Sequence, residues 1–181
     1  MAIINTVREN ADALVIVDCD CDGYTSAALL INYLYKIFPT WVVNHLDWHM
    51  HDSKQHGLSD CIDFVLARNP MLVICPDSSS NDYNYHKILA DKNIQVLVLD
   101  HHLADHVSEN AIIINNQLSD YPNKELSGVG VVWQFCRYID NQLDIKLADG
   151  FLDLVALGLC ADMMSLRSFE TRYLITKGFK K

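Results

Sequence analysis

The stretch Val15-Ile16-Val17-Asp18-Cys19-Asp20-Cys21-Asp22-Gly23 opens as a short β-branched apolar run and closes on three carboxylates at alternate positions. The apolar half reads as a buried strand. Alternate side chains of an extended backbone share a face. Asp18, Asp20 and Asp22 are therefore expected to project together from the strand end, with Cys19 and Cys21 turned the other way. Like charges sharing a site push one another's pKa values up, so a fold tolerates the cluster when cations sit among the carboxylates or protons neutralise them. Gly23 then allows a sharp turn, and Thr25–Phe38 reads as a helix whose positive N-terminal end lies beside the same pocket. The layout suits a divalent metal and a phosphate together.

Outward from this stretch the chain keeps alternating. Runs with strand character fall at Ala13–Val17, Trp41–Leu46, Met71–Cys75, Ile94–Leu99 and Ala111–Ile114. Helical patterns at Thr25–Phe38, about Leu58–Arg68 and about Asp82–Lys92 separate the first four. Strand, helix, strand in succession implies right-handed crossovers, hence an α/β fold: a five-stranded parallel sheet with helices on both faces. After Ile114 the pattern turns helical, with Gly128–Asn141, Leu147–Ala161 and Ser168–Gly178 as helices and Ser127 and Ser168 as caps. The expected division is one domain, with a sheet core over 1–120 and a helical layer over 121–181.

In open parallel sheets, ligands bind outside the carboxyl ends of the strands, where the strand order reverses. The polar residues gather at those ends. The first run leads into Asp18, Asp20 and Asp22, the third into Cys75-Pro76-Asp77-Ser78-Ser79-Ser80, and the fourth into Leu99-Asp100-His101-His102. Asp77 by itself is ordinary turn chemistry; beside the first strand, its two oxygens are placed to bridge two metals. Asp100-His101-His102 offers a metal ligand, an orienting partner and a proton donor within one turn. Of the other histidines only His56, in His56-Gly57-Leu58, is one to watch. Cys19 and Cys21 lack the second cysteine pair of a zinc site, and hard carboxylate oxygens with one imidazole suit manganese or magnesium. The turn Leu126-Ser127-Gly128-Val129-Gly130-Val131 lacks the Lys-Ser/Thr of a nucleotide P-loop. It reads as packing glycines, or as a tight loop near a phosphate that makes Ser127, Gly128 and Gly130 candidate substrate contacts.

Composition bounds what surrounds such a site. No window holds the roughly 18 consecutive apolar residues of a membrane span, and the N-terminus lacks a signal-peptide pattern. A soluble, cytoplasmic chain without a membrane partner is expected. Six scattered cysteines, Cys19, Cys21, Cys61, Cys75, Cys136 and Cys160, read as buried reduced thiols. The net charge of −9, from 14 basic and 23 acidic residues, argues against gripping nucleic acid by a broad basic surface. Carboxylates that hold metal are to be discounted, because the ions cancel their charge where a phosphate must approach. Arg167, Arg172, Lys177, Lys180 and Lys181 read as a solvated helix face.

Taken together, these residues resemble the DHH phosphoesterase superfamily and, within it, the RecJ group of single-stranded DNA exonucleases. The likeness runs in order through Val17 to Gly23, Asp77, Asp100-His101-His102 and Gly158-Leu159-Cys160-Ala161-Asp162-Met163-Met164-Ser165-Leu166. It continues in Ile114-Asn115-Asn116, in Tyr121 to Val131 and in Arg172 to Gly178. The resemblance implies two manganese or magnesium ions held by Asp18, Asp20, Asp22, Asp77, His101 and Asp162, with Asp77 bridging and His102 facing the scissile phosphate. It also implies a sheet in which the first strand lies between the second and third. Two departures stand out: Asp77-Ser78-Ser79 replaces the usual Asp-Asn-Gly or Asp-Cys-Gly, and Ala104 replaces a common proline. The family's usual second, substrate-binding domain is not expected within these 181 residues, so a partner domain or protein is expected to complete the substrate groove.

The expected function is metal-dependent hydrolysis of single-stranded nucleic acid by a 5′-to-3′ DNA exonuclease of the RecJ kind, acting in repair and recombination. Three alternatives stay open. One is a phosphoesterase for small substrates such as short oligonucleotides, cyclic dinucleotides or pyrophosphate. Another is a haloacid-dehalogenase-like phosphatase, whose Asp-x-Asp-Gly-Thr nucleophile Asp20-Cys21-Asp22-Gly23-Tyr24-Thr25 imitates. The third is a non-catalytic scaffold in a replication or repair assembly.

Overall fold

The computed structural model describes residues 2–51 and 56–180. Five strands, β1 (Ala13–Val17), β2 (Leu46–Met50), β3 (Leu72–Pro76), β4 (Gln95–Asp100) and β5 (Ile112–Asn115), form one sheet ordered β2-β1-β3-β4-β5. Every pairing is parallel. The helices are α1 (Ala2–Arg8), α2 (Cys21–Ile37), α3 (Pro39–His45), α4 (Ile62–Arg68), α5 (Tyr83–Ala90), α6 (Gly128–Leu143), α7 (Leu152–Ala161) and α8 (Phe169–Gly178). A 3₁₀ turn at Ala148–Phe151 leads into α7.

The central strands bury both faces, and their alternation assigns each residue to a layer. Val15, Val17, Leu72, Ile74, Leu97 and Leu99 face the larger core, filled by α2, α6 and α7. Leu14, Ile16, Val73, Cys75, Val96 and Val98 face a smaller core with Val65 of α4 and Leu89 of α5. From β1 the chain runs to β2 on one side, then crosses to β3 on the other. The switch point of the sheet therefore lies between the ends of β1 and β3, where Asp18 and Asp77 follow.

The second strand is displaced from its expected place. Pro39 occupies the first turn of a helix, which its fixed φ favours. Residues 39–45 continue as α3, and Trp41 is buried with its indole N–H donating to the Ala11 carbonyl at 3.0 Å. The strand itself is Leu46–Met50, a half-exposed edge in which Leu46, Trp48 and Met50 alternate with Asp47 and His49. The β-branched pair Val42-Val43 masked this edge pattern. Other boundaries move less: α2 begins at Cys21 instead of Thr25, α4 begins at Ile62, and a 3₁₀ turn occupies the start of the expected Leu147–Ala161 helix. The short helix α1 was not expected from the sequence. Cys61, Cys75 and Cys136 are buried thiols, whereas Cys21 and Cys160 are exposed. Among the described residues, no helix is long and apolar enough to cross a membrane. Lys181 lies outside the described residues.

Candidate metal centre

Asp18, Asp20 and Asp22 do not project together from a strand: Asp18 and Asp20 group with Asp77, and Asp22 groups with His101 and Asp162. Asp18 follows β1 directly and is fully buried. Asp20 is the N-cap of α2, its side chain accepting from the Gly23 amide at 2.9 Å. Asp22 lies in the first helical turn. Gly23 makes no sharp turn; it lies inside the helix, where a Cβ would come within 2.6 Å of the Asp18 Cβ. Glycine is needed here for close approach of α2 to the strand end.

The N-terminus of α6 holds Asp22. Its carboxylate accepts from the Ser127 hydroxyl at 2.9 Å, the Gly128 amide at 2.6 Å and the Val129 amide at 3.2 Å. Unpaired amides at a helix start bind anions, and here the anion is the protein's own. The donors of Ser127 and Gly128, expected near a substrate phosphate, are directed at this carboxylate. Gly130 is a packing position, where a Cβ would reach within 3.0 Å of the Leu126 side chain. A Cβ at Gly128 would collide with the Asp77 carboxylate, so the helix end also closes over the β3 loop.

The β3 loop is wound tightly. Asp77 and Ser79 take φ of 67° and 78°, in the left-handed region that glycine favours. Ser79 thus takes a backbone that glycine would adopt without strain. Asp77 is buried, and its Oδ1 has no hydrogen-bond partner. Burial, followed by the neighbouring Asp22 and Asp100 carboxylates, pushes its carboxyl well above the usual range. Burial raises Asp22 as well, with His101 and the Ser127 hydroxyl opposing.

At the end of β4, Asp100 turns its side chain back on the loop that follows. Its carboxylate accepts from the amides of His101 at 2.7 Å, His102 at 3.2 Å and Ser80 at 3.1 Å, and from His102 Nδ1 at 2.7 Å. Burial works to raise Asp100, yet the His102 imidazole, followed by the Ser80 side chain and the His102 amide, outweighs it and holds the carboxyl at about 2. The Asp100 bond in turn raises His102 above its ordinary value, against the burial of the ring. With Nδ1 committed to Asp100, His102 has Nε2 left, and its side chain is 50% exposed.

His101 points into the cluster. Its Nε2 lies 3.3 Å from Asp77, 3.5 Å from Asp162 and 3.9 Å from Asp22. Asp162 arrives from the C-terminal end of α7, where it is the C-cap. The six expected residues fall into two sets whose ligand atoms lie within 4.8 Å of one another: Asp18, Asp20 and Asp77, and Asp22, His101 and Asp162. Asp77 also groups with Asp100, His101 and His102, so it stands between the sets. Five carboxylates, several of them buried and one with an orphaned oxygen, fit hard divalent cations, which would take the place of the protons that burial otherwise imposes. His56, singled out in the sequence without a role, is also drawn in: its Nδ1 lies 2.6 Å from Asp18 Oδ2.

Comparison with known proteins matches this geometry to a family. The model of the DHH family, N-terminal domain, matches residues 12–159, which include every strand and the site residues up to Gly130. A putative SPbeta prophage-derived single-strand DNA-specific exonuclease, YorK, of Bacillus subtilis (strain 168) is 40% identical over 180 residues, covering 99% of this chain and 30% of the relative. The single-stranded-DNA-specific exonuclease RecJ of Escherichia coli (strain K12) is 29% identical over 194 residues, covering 99% of this chain and 33% of the relative. The chain thus spans about a third of the length of these curated relatives. A crystal structure of exonuclease RecJ bound to manganese superimposes with a TM-score of 0.84 at 20% identity, over 97% of this chain and 45% of that one. The same fold, with its strand-end acids and the Asp100-His101-His102 turn inside the matched region, places the chain in the DHH family.

Proposed function

We propose that this chain hydrolyses phosphodiester bonds of single-stranded DNA from the 5′ end, using two divalent ions, manganese or magnesium. The observation that carries the reading is the convergence of Asp22, Asp77 and Asp162 on His101 Nε2, at 3.9, 3.3 and 3.5 Å, beside Asp18 and Asp20. One ion is assigned to Asp18, Asp20 and Asp77, the other to Asp22, His101 and Asp162, with Asp77 serving both. Relatives named as single-strand DNA-specific exonucleases, and the fold shared with a manganese-bound RecJ, support the general reading of a metal-dependent nuclease for single-stranded DNA. When bound, such ions activate water for in-line attack and stabilise the departing oxygen.

The protein's own groups do the rest. The α6 amides and the Ser127 hydroxyl hold Asp22 in one orientation, so the carboxylate needs no reorganisation. Asp100 holds His102 by Nδ1, leaving Nε2 to balance charge on the scissile phosphate. Ser127 and Gly128 act in this reading by donating to Asp22, and Gly130 by packing on Leu126, rather than by donating to substrate.

The test uses the purified chain, manganese, and a 5′-labelled strand compared with the same sequence as duplex and with a dinucleotide. Release of labelled mononucleotide from the single strand, with the duplex resistant, is the expected result. Cleavage of the dinucleotide with the long strand untouched would move the function to small substrates. No hydrolysis of any of the three would remove the enzymatic reading.

A further inference from the structure

One imidazole reaches the centre from a segment to which no role has been assigned. His56 Nδ1 meets Asp18 Oδ2 at 2.6 Å, and the other oxygen, Oδ1, accepts from the Cys19 amide at 2.9 Å. Both oxygens of this fully buried carboxylate are therefore held, one by its own backbone and one by a side chain that is itself 57% exposed. A surface imidazole pinned to a buried carboxylate gives up rotational freedom that water would otherwise allow. His56 belongs to none of the three clusters of ligand atoms, so it touches the centre through Asp18 and not as a further ligand.

The backbone beneath it is built for this contact. Gly57 takes φ of +82°, a conformation open to glycine, and a Cβ there would run into the Asp82 carboxylate. That same carboxylate accepts from the Leu58 amide at 2.7 Å. Asp82 lies two residues beyond the Asp77–Ser80 loop, so the segment that carries Asp77 also clamps the turn that presents His56. Across the cleft, His102 makes the equivalent pair with Asp100 at 2.7 Å, and the His56 and His102 rings lie 6.3 Å apart.

We infer that His56 is a positioning residue of the metal centre: with its proton on Nδ1 it holds Asp18 Oδ2 and aims the carboxylate at the ion shared with Asp20 and Asp77. The inference rests on the metal reading proposed above. Removing a hydrogen-bond partner of this kind lowers metal affinity by about 10–100-fold.

The test titrates manganese into the metal-free chain and reads free ion by electron paramagnetic resonance, with thermal melting as the fold control. His56→Ala is expected to melt as the parent does, because the ring is largely in solvent, and to bind one manganese at least about tenfold more weakly. His56→Asn, whose side-chain N–H can stand where Nδ1 stands, is expected to recover most of the affinity. In the nuclease assay His56→Ala should need more manganese for half-maximal rate, with the rate at saturating manganese within a few-fold of the parent. An unchanged titration in His56→Ala overturns the inference. So does a lost rate at saturating manganese with affinity intact, which would make the imidazole a substrate contact. The parent separates the two proposals: manganese binding without DNA cleavage sinks the exonuclease reading while the titration still decides His56, and no manganese binding by the parent sinks both.

Discussion

At the scale of single residues, Asp77 concentrates the chemistry. It is buried, takes a left-handed backbone, and lies 3.3 Å from His101 Nε2 with its Oδ1 otherwise unpaired. If one carboxylate serves both ions, Asp77→Ala should abolish turnover and weaken manganese binding by more than the roughly 10–100-fold typical of an outer partner. Near-normal turnover with two ions still bound would end the bridging role. The pH dependence has a definite sign. Burial holds the Asp22 and Asp77 carboxyls above their unfolded values, so the metal-free folded chain binds more protons than the unfolded chain. Its stability therefore falls as pH rises through those raised values, and an incoming ion displaces protons, so its affinity rises with pH. The gain in melting temperature on adding manganese should grow as pH rises through those raised values; a gain that does not change with pH would contradict the assignment of those carboxylates. The two histidines divide similarly. His101→Ala should lower manganese occupancy, whereas His102→Ala should lower turnover with occupancy kept, and equal loss of metal in both, read by calorimetric titration, would count against that division.

At the scale of elements, the site is a meeting of ends: the end of β1, the start of α2, the loop after β3, the turn after β4, the start of α6 and the end of α7. Each end leaves backbone groups that its own element cannot pair, and several of these pairings are made across the site. The Gly128 and Val129 amides go to Asp22, and the Ser80 amide goes to Asp100. Packing this tight leaves strained backbone at Asp77, at Ser79 and at Met163. Ser79 at φ 78° pays a left-handed penalty that glycine avoids, though glycine loses more freedom on folding. Ser79→Gly should therefore stabilise the chain by about 0.5–1 kcal/mol in a denaturant titration. A destabilised variant would mean that the buried Ser79 hydroxyl makes a contact worth more than the strain.

For the whole molecule, charge and chemistry pull apart. The strand ends collect the acids that hold cations, but the chain carries 14 basic residues against 23 acidic ones. Near the C-terminus, the Arg172 guanidinium stacks over Phe169 at 4.8 Å and the Lys177 ammonium over Tyr173 at 5.6 Å, as an exposed helix face would have them. Holding a strand over several nucleotides takes repeated phosphate contacts and stacking surfaces. These 181 residues should cleave single strands with manganese yet release them after few steps, and sustained digestion should need further basic surface from a partner domain or protein. The measurement is a trap assay in which excess unlabelled strand is added after labelled strand has bound. Digestion of the labelled strand to its end at moderate salt would show that the grip is already present.

The sequence by itself determined the α/β class, four of the five strands to within a residue, and five of the six residues that the structure gathers into the two ligand sets. These were legible because buried parallel strands are continuous apolar runs, and because a strand end is where such a run stops and polar residues begin. Asp18, Asp20 and Asp22 were picked for their period-two spacing, a strand argument, although they stand at a strand end, a helix cap and a first helical turn, and Asp22 falls in a different set from Asp18 and Asp20. Asp162 came from family resemblance alone: nothing local marks the C-cap of α7 as a ligand, and only packing of α7 against α2 carries it to His101. The edge strand β2 was misplaced because half-exposed alternation is weaker than the β-branched pair just before it. Tertiary structure alone decided that Ser127 and Gly128 serve Asp22, about a hundred residues earlier in the chain, and that His56 holds Asp18. Hydrogen bonds across such separations depend on how elements stack, and local sequence patterns report only on neighbours a few residues apart.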